Sequence, residues 1–76
     1  MINQKIKKII SKVLSLPIVK VTDQISPKKE TKWDSINNIK ILLEVERIFK
    51  IKFEEKEFHA TYNFAELKII IEKKIK

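Results

Sequence analysis

Ser35, His59 and Asp23 are the residue types of a hydrolytic triad: a hydroxyl nucleophile, a base and a carboxylate to orient it. Nothing else in the sequence supports that use. The chain has no glycine, so no Gly-rich turn can build an oxyanion hole, and 76 residues leave little room to enclose a substrate. The lack of glycine also removes the dinucleotide fingerprint, the P-loop and the G-x-S-x-G elbow. With no cysteine and a single histidine, thiolate and His-rich metal sites are excluded. Glu54 and Glu55 are adjacent, so on a helix they point apart and read as solvated surface. The chain is expected not to be an enzyme, and no catalytic or metal-ligating residue is assigned.

Ser35 keeps one chemical use. It follows Asp34, whose carboxylate suits the cap of a helix because it accepts from backbone N–H groups there. A hydroxyl at that place sits at the positive end of the helix dipole. An anion attached to it would be stabilised, so a phosphate-linked modification fits.

The elements that would position Ser35 follow from periodicity. Ile2, Ile6, Ile9, Ile10, Val13 and Leu14 recur at helical spacing, with Lys5, Lys8 and Lys12 on the other side. A helix is expected near residues 2–15, stopped by Pro17. Residues 16–34 read as a long irregular loop, with Ile18, Val19, Val21 and Ile25 apolar enough to tuck under a core. Trp33 reads as an anchor fixing the angle at which the chain enters the second helix, in the manner of a staple. Stacking on a nucleic-acid base is its sharper alternative.

The second helix is expected over 35–50. One stripe, Leu42, Val45 and Phe49 with Ile41 and Ile48 on its flank, is the obvious core face. A second stripe, Ile36, Lys40, Leu43 and Arg47, lies about 200° away and is mixed in character. A second face of that kind either meets a partner or is ordinary exposed apolar surface. A short helix is expected near 54–60. A capping box of Asn63 and Glu66 opens the last helix, which runs to about Lys74 and buries Phe64, Leu67, Ile70, Ile71 and Ile75. The expected fold is a single all-α domain over residues 1–76. It is a small four-helix bundle of three longer helices and one short, with the long loop between the first two.

The net charge is +7, and sixteen of the seventeen bases are lysine. The excess is concentrated in residues 1–32. Such a surface suits an acidic partner, but Ile and Lys together supply 31 of 76 residues, which composition alone could produce. The near absence of arginine argues against reading of nucleic-acid bases. No apolar run is long enough to span a membrane, and no secretory signal is evident, so a cytoplasmic location is expected.

The stretch Trp33-Asp34-Ser35-Ile36 resembles the D-S-L modification motif of acyl carrier proteins, in the variant with Trp before Asp. The likeness continues through Leu42, Leu43, Glu44, Val45, Glu46, Ile48 and Phe49, then Ile51-Lys52-Phe53 and Glu54-Glu55. Val21-Thr22-Asp23 and Ser26-Pro27 upstream and Asn63-Phe64-Ala65-Glu66-Leu67 downstream extend it over nearly the whole chain.

The resemblance implies that Ser35 receives 4′-phosphopantetheine from coenzyme A by the action of a phosphopantetheinyl transferase. The thiol of that arm would carry an acyl or aminoacyl group as a thioester. Asp34 would cap the helix and assist Mg²⁺ binding in the transferase complex. Ile36, Lys40, Leu43, Glu44 and Arg47 would form the face recognised by loading and transferring enzymes. The interior lined by Leu42, Val45, Phe49 and the last helix would shelter the acyl chain. The chain would be a monomeric shuttle that binds no nucleic acid. It departs from the family in Ile36 for the usual Leu, in having no Gly before the D-S pair, and in charge. Asn37, Lys40 and Arg47 stand where acids are common. That departure points to a specialised pathway rather than general fatty-acid synthesis. The competing class is a small basic helical module binding nucleic acid or an acidic protein.

Overall fold

The computed structural model describes residues 2–28, 30–60 and 63–75. Its helices are α1 (Ile2–Leu14), α2 (Ser35–Phe49), α3 (Glu55–Ala60) and α4 (Phe64–Lys74), with no strand among the described residues. This is the expected small helical bundle, three longer helices and one short. The helix ends fall within one residue of those expected.

The helices α2 and α4 begin where apolar spacing and a side-chain cap coincide. On α1, Ile6, Ile9, Ile10 and Leu14 are buried and share one face. That face packs against α2, α4 and the 3-10 turn Ile18–Lys20 of the loop. On α2 the buried set is Ile41, Leu42 and Val45, joined by Asn38. On α4 it is Phe64, Leu67 and Ile71. Ile70 packs partly against this core, but Ile75, expected inside, is 48% exposed, because it lies one residue past the last turn of α4. Ile48, expected beside the α2 core stripe, is also exposed. The globule measures 28 × 26 × 18 Å, about two helix diameters in its thinnest direction, so no helix lies wholly inside and each keeps a solvent face.

The connection from α1 to α2 is long but pinned. Val21, Ile25 and Trp33 are buried in the core, and the Phe64 N–H at the start of α4 donates to the Ile25 carbonyl at 3.3 Å. Ile18 and Val19 do not tuck under the core as expected. Both are exposed, because the 3-10 turn that holds them uses its backbone to reverse direction: the Lys20 N–H donates to the Pro17 carbonyl and the Val21 N–H to Ile18.

Two helices end in the left-handed conformation without glycine. Ser15 has φ 56° and Lys50 has φ 59°. After α1, the Leu16 N–H reaches the Ser11 carbonyl at 3.0 Å, and after α2 the Ile51 N–H reaches Glu46 at 3.3 Å, so both ends satisfy their last carbonyls by a Schellman turn. A side chain with a Cβ pays a steric penalty there of about 1–2 kcal/mol, part of which glycine loses again to unfolded-chain entropy. Lys50→Gly is therefore expected to stabilise the fold by about 0.5–1 kcal/mol and to raise the melting temperature by roughly 3–6 °C. Calorimetry showing a lower melting temperature for this variant would refute the account of the α2 terminus.

Two carboxylates tie helices together. Glu57 Oε1 accepts from the Glu54 N–H at 2.7 Å and from Lys74 Nζ at 3.0 Å, joining α3 to the end of α4. Glu44 on α2 accepts from Arg47 Nε at 2.7 Å and from Lys12 Nζ of α1 at 3.3 Å. The Glu54 backbone bond, aided by Lys74, holds Glu57 below the usual carboxylate range, and Arg47 with Lys12 does the same for Glu44. A lowered folded-state pKa means that the contribution is complete above the ordinary carboxylate range and is lost as pH falls through the folded-state value. The melting temperature is thus expected to fall on acidification below that range, and Glu57→Gln should flatten part of that fall. An identical pH profile for Glu57→Gln would rule out its share.

Candidate functional site

The site is built from the start of α2 backwards. Asp34 is extended and its Oδ1 accepts from the Asn37 N–H at 2.8 Å, while its carbonyl accepts the Asn38 N–H at 2.8 Å. This is the cap expected from the sequence, and it starts the helix at Ser35. Ser35 is exposed, as is Asp34. The segment before them is held by its own hydrogen bonds. Asn37 Nδ2 donates to the Lys32 carbonyl at 2.7 Å, the Trp33 N–H to Glu30 at 3.1 Å, and the Lys32 N–H to the Glu30 carboxylate at 3.1 Å.

Trp33 is the deep anchor. It is 2% exposed, which removes the alternative of stacking on a base. Its partner four residues into the helix is not the apolar group of an ordinary staple but Asn38. Trp33 Nε1–H donates to Asn38 Oδ1 at 2.9 Å, and Asn38 Nδ2 donates to the Phe58 carbonyl of α3 at 3.1 Å. The indole, the amide and α3 form one buried polar chain that fixes where α2 begins. Phe58 in turn meets Phe53 edge-on, with ring centroids 5.9 Å apart. Sequence reasoning missed Asn38, because an asparagine inside a helical pattern reads as surface. The signal available was its place one turn beyond the only tryptophan.

The second stripe of α2 is a solvent face. Ile36 is 66% and Leu43 51% exposed, and Lys40 and Arg47 are exposed. Glu44 is half-buried between Lys12 and Arg47. Lys40, Leu43, Glu44 and Arg47 line one shallow cleft with Val13 of α1, and Ile36 lies one turn nearer Ser35 on the same face. At about 1.5 Å per residue the stripe runs roughly 20 Å from the serine to the far end of the helix. Leu42 and Val45 are wholly buried in the packed core, and Phe49 packs partly against it.

Ser35, Asp23 and His59 lie on three different parts of the fold: α2, the α1–α2 connection and α3. Asp23 is held by Lys7 of α1 at 3.1 Å, and His59 is exposed on α3. No three metal-ligating side chains cluster among the described residues. No helix among them is long and apolar enough to cross a membrane.

Ser35 thus combines four properties: exposure, the first position of a helix, a fixed approach, and a continuous apolar-and-charged face alongside. An attached phosphate diester at that oxygen would lie at the positive end of α2 with no carboxylate but Asp34 adjacent in sequence. Compared with known proteins, the chain matches no family model and no curated protein.

Proposed function

We propose that this chain is a carrier protein on which Ser35 holds 4′-phosphopantetheine, serving a specialised pathway rather than general fatty-acid synthesis. The observation that carries the reading is the exposed residue Ser35 at the first position of α2, directly after the Asp34 cap. Loading breaks the Ser35 Oγ–H bond and one P–O bond of the coenzyme A pyrophosphate. It forms an Oγ–P bond, and adenosine bisphosphate leaves with the proton taken up by the transferase. The bound arm supplies a thiol that carries an acyl or aminoacyl group as a thioester.

The chain's own residues position that arm. Asp34 fixes the helix start and offers a carboxylate beside the reacting oxygen for Mg²⁺ in the transferase complex. Trp33 and Asn38 keep the serine from shifting register. Ile36, Lys40, Leu43, Glu44 and Arg47 present the face that a transferase or acyl-handling enzyme would grip. Exposed Ile36 and Leu43 supply its apolar contacts, and the lysine and arginine favour acidic rather than basic partners. The chain acts as a shuttle, not a catalyst. Its location in the cytoplasm, where coenzyme A and transferases meet it, belongs to the same proposal.

The test is intact-protein mass spectrometry after incubation with a promiscuous phosphopantetheinyl transferase, coenzyme A and Mg²⁺. A gain of one phosphopantetheine, mapped to the peptide holding Ser35, supports the reading. No gain with a transferase active on a control carrier sinks it.

A further inference from the structure

The cations of α1 converge on a cleft that shares only Glu44 and Arg47 with the face used in the carrier reading. The cleft, of ≈190 Å³, lies along the seam of α1 and α2. Ile48, 38% exposed, gives it an apolar floor above the buried Ile9, and Lys5, Lys8, Lys12 and Arg47 stand around its rim. The three lysines follow one another by three and four residues, one helical turn apart on one side of α1. The one carboxylate on the cleft, Glu44, is already engaged by Lys12 and Arg47. Lys5 lies over the Phe49 ring at 5.8 Å, and Lys8 makes no ion pair among the described residues. The rim therefore has positive charge to spare around an apolar hollow.

Size and shape select the occupant. The hollow is smaller than the several hundred cubic ångströms of an ordinary cofactor pocket, and it suits an apolar side chain or two. A groove between two helices is the natural seat of a third. A lipid surface needs an apolar face to insert, and that of α1 is spent on the core: Ile6, Ile9, Ile10 and Leu14 are all buried. Single-stranded nucleic acid needs exposed rings for stacking, whereas among the described residues Trp33, Phe53 and Phe64 are buried and Phe49 and Phe58 are partly packed into the core.

We propose that the α1/α2 cleft docks an acidic amphipathic helix of a partner protein, one apolar side chain entering over Ile9 and Ile48 while carboxylates one turn apart meet Lys5, Lys8, Lys12 and Arg47. The docking stands on charge and shape and holds whether or not Ser35 is modified.

The probe is a synthetic helical peptide with a leucine flanked at one-turn spacing by glutamates, titrated into the ¹⁵N-labelled full chain. Amide shifts are expected around Ile9 and Ile48. Lys5→Glu combined with Lys8→Glu should weaken binding about tenfold or more. Lys20→Glu with Lys52→Glu, the same charge change on exposed residues elsewhere, should leave it within about twofold, and Ser35→Ala should bind like the wild type. The proposal is overturned by shifts that lie elsewhere or do not occur, by equal weakening from the two charge-reversed pairs, or by equal binding of a peptide with glutamine for glutamate. Tighter binding to phosphatidylglycerol vesicles or single-stranded DNA than to the peptide also overturns it.

Discussion

Incubated with transferase, coenzyme A and Mg²⁺, the Ser35→Ala chain is expected to gain no mass under conditions that convert the wild type fully. The loss should be complete, because the reaction makes a bond to one oxygen and alanine has none. The fold should largely hold: Ser35 is exposed and the substitution leaves the Asp34 cap in place, so the cost should be about 1 kcal/mol or less. Unchanged circular dichroism and melting temperature alongside zero loading would separate loss of the attachment point from loss of structure. Asp34→Ala makes a different prediction. It keeps the oxygen but removes the acceptor of the Asn37 N–H, at a cost of about 1 kcal/mol, and should slow loading without abolishing it. Full loading of Ser35→Ala would move the attachment to another side chain and end the carrier reading in its present form.

The largest stability effect is expected at Trp33. Truncating a buried aromatic side chain costs about 3–5 kcal/mol. A chain of this length has a total of roughly 4–11 kcal/mol, so Trp33→Ala should leave the protein marginal or unfolded at room temperature. Asn38→Ala should cost about 1–3 kcal/mol by a different route, since it strands the buried indole N–H and withdraws the donor from the Phe58 carbonyl. Trp33→Phe retains most of the ring and should fall between wild type and Trp33→Ala. Urea unfolding followed by far-ultraviolet circular dichroism measures all three. A cost below about 1 kcal/mol for Trp33→Ala would mean that the start of α2 is held by something other than this anchor.

The parts legible in the sequence were those set by local rules. Helical spacing placed α1, α2 and α4, and the side chains of Asp34 and Asn63 accept from the Asn37 and Glu66 N–H groups as caps should. The exposed stripe of α2 was legible because Ile36 and Leu43 fall on a side that the core stripe cannot reach. The parts not legible depend on tertiary packing. Asn38 is buried because Trp33 and α3 come to meet it, and no periodicity reports that. Val19 is 82% exposed although its type favours the interior, because the turn that carries it faces outward. The left-handed ends at Ser15 and Lys50 were hidden because the glycine that usually marks them is missing. The cleft above Ile9 was hidden for a related reason: lysines on an amphipathic helix look alike until a second helix shows which of them share a hollow.

Trp33 has a use beyond holding the fold. It is the single tryptophan of the chain, shielded from water and two residues from Ser35. Its tryptophan emission therefore reports on the entry to α2, two residues before Ser35. Anything that loosens the amino end of α2 lets water reach the indole and shifts that emission to longer wavelength. The molecule carries a native optical gauge, needing no attached dye, at the one position where its chemistry is proposed to happen.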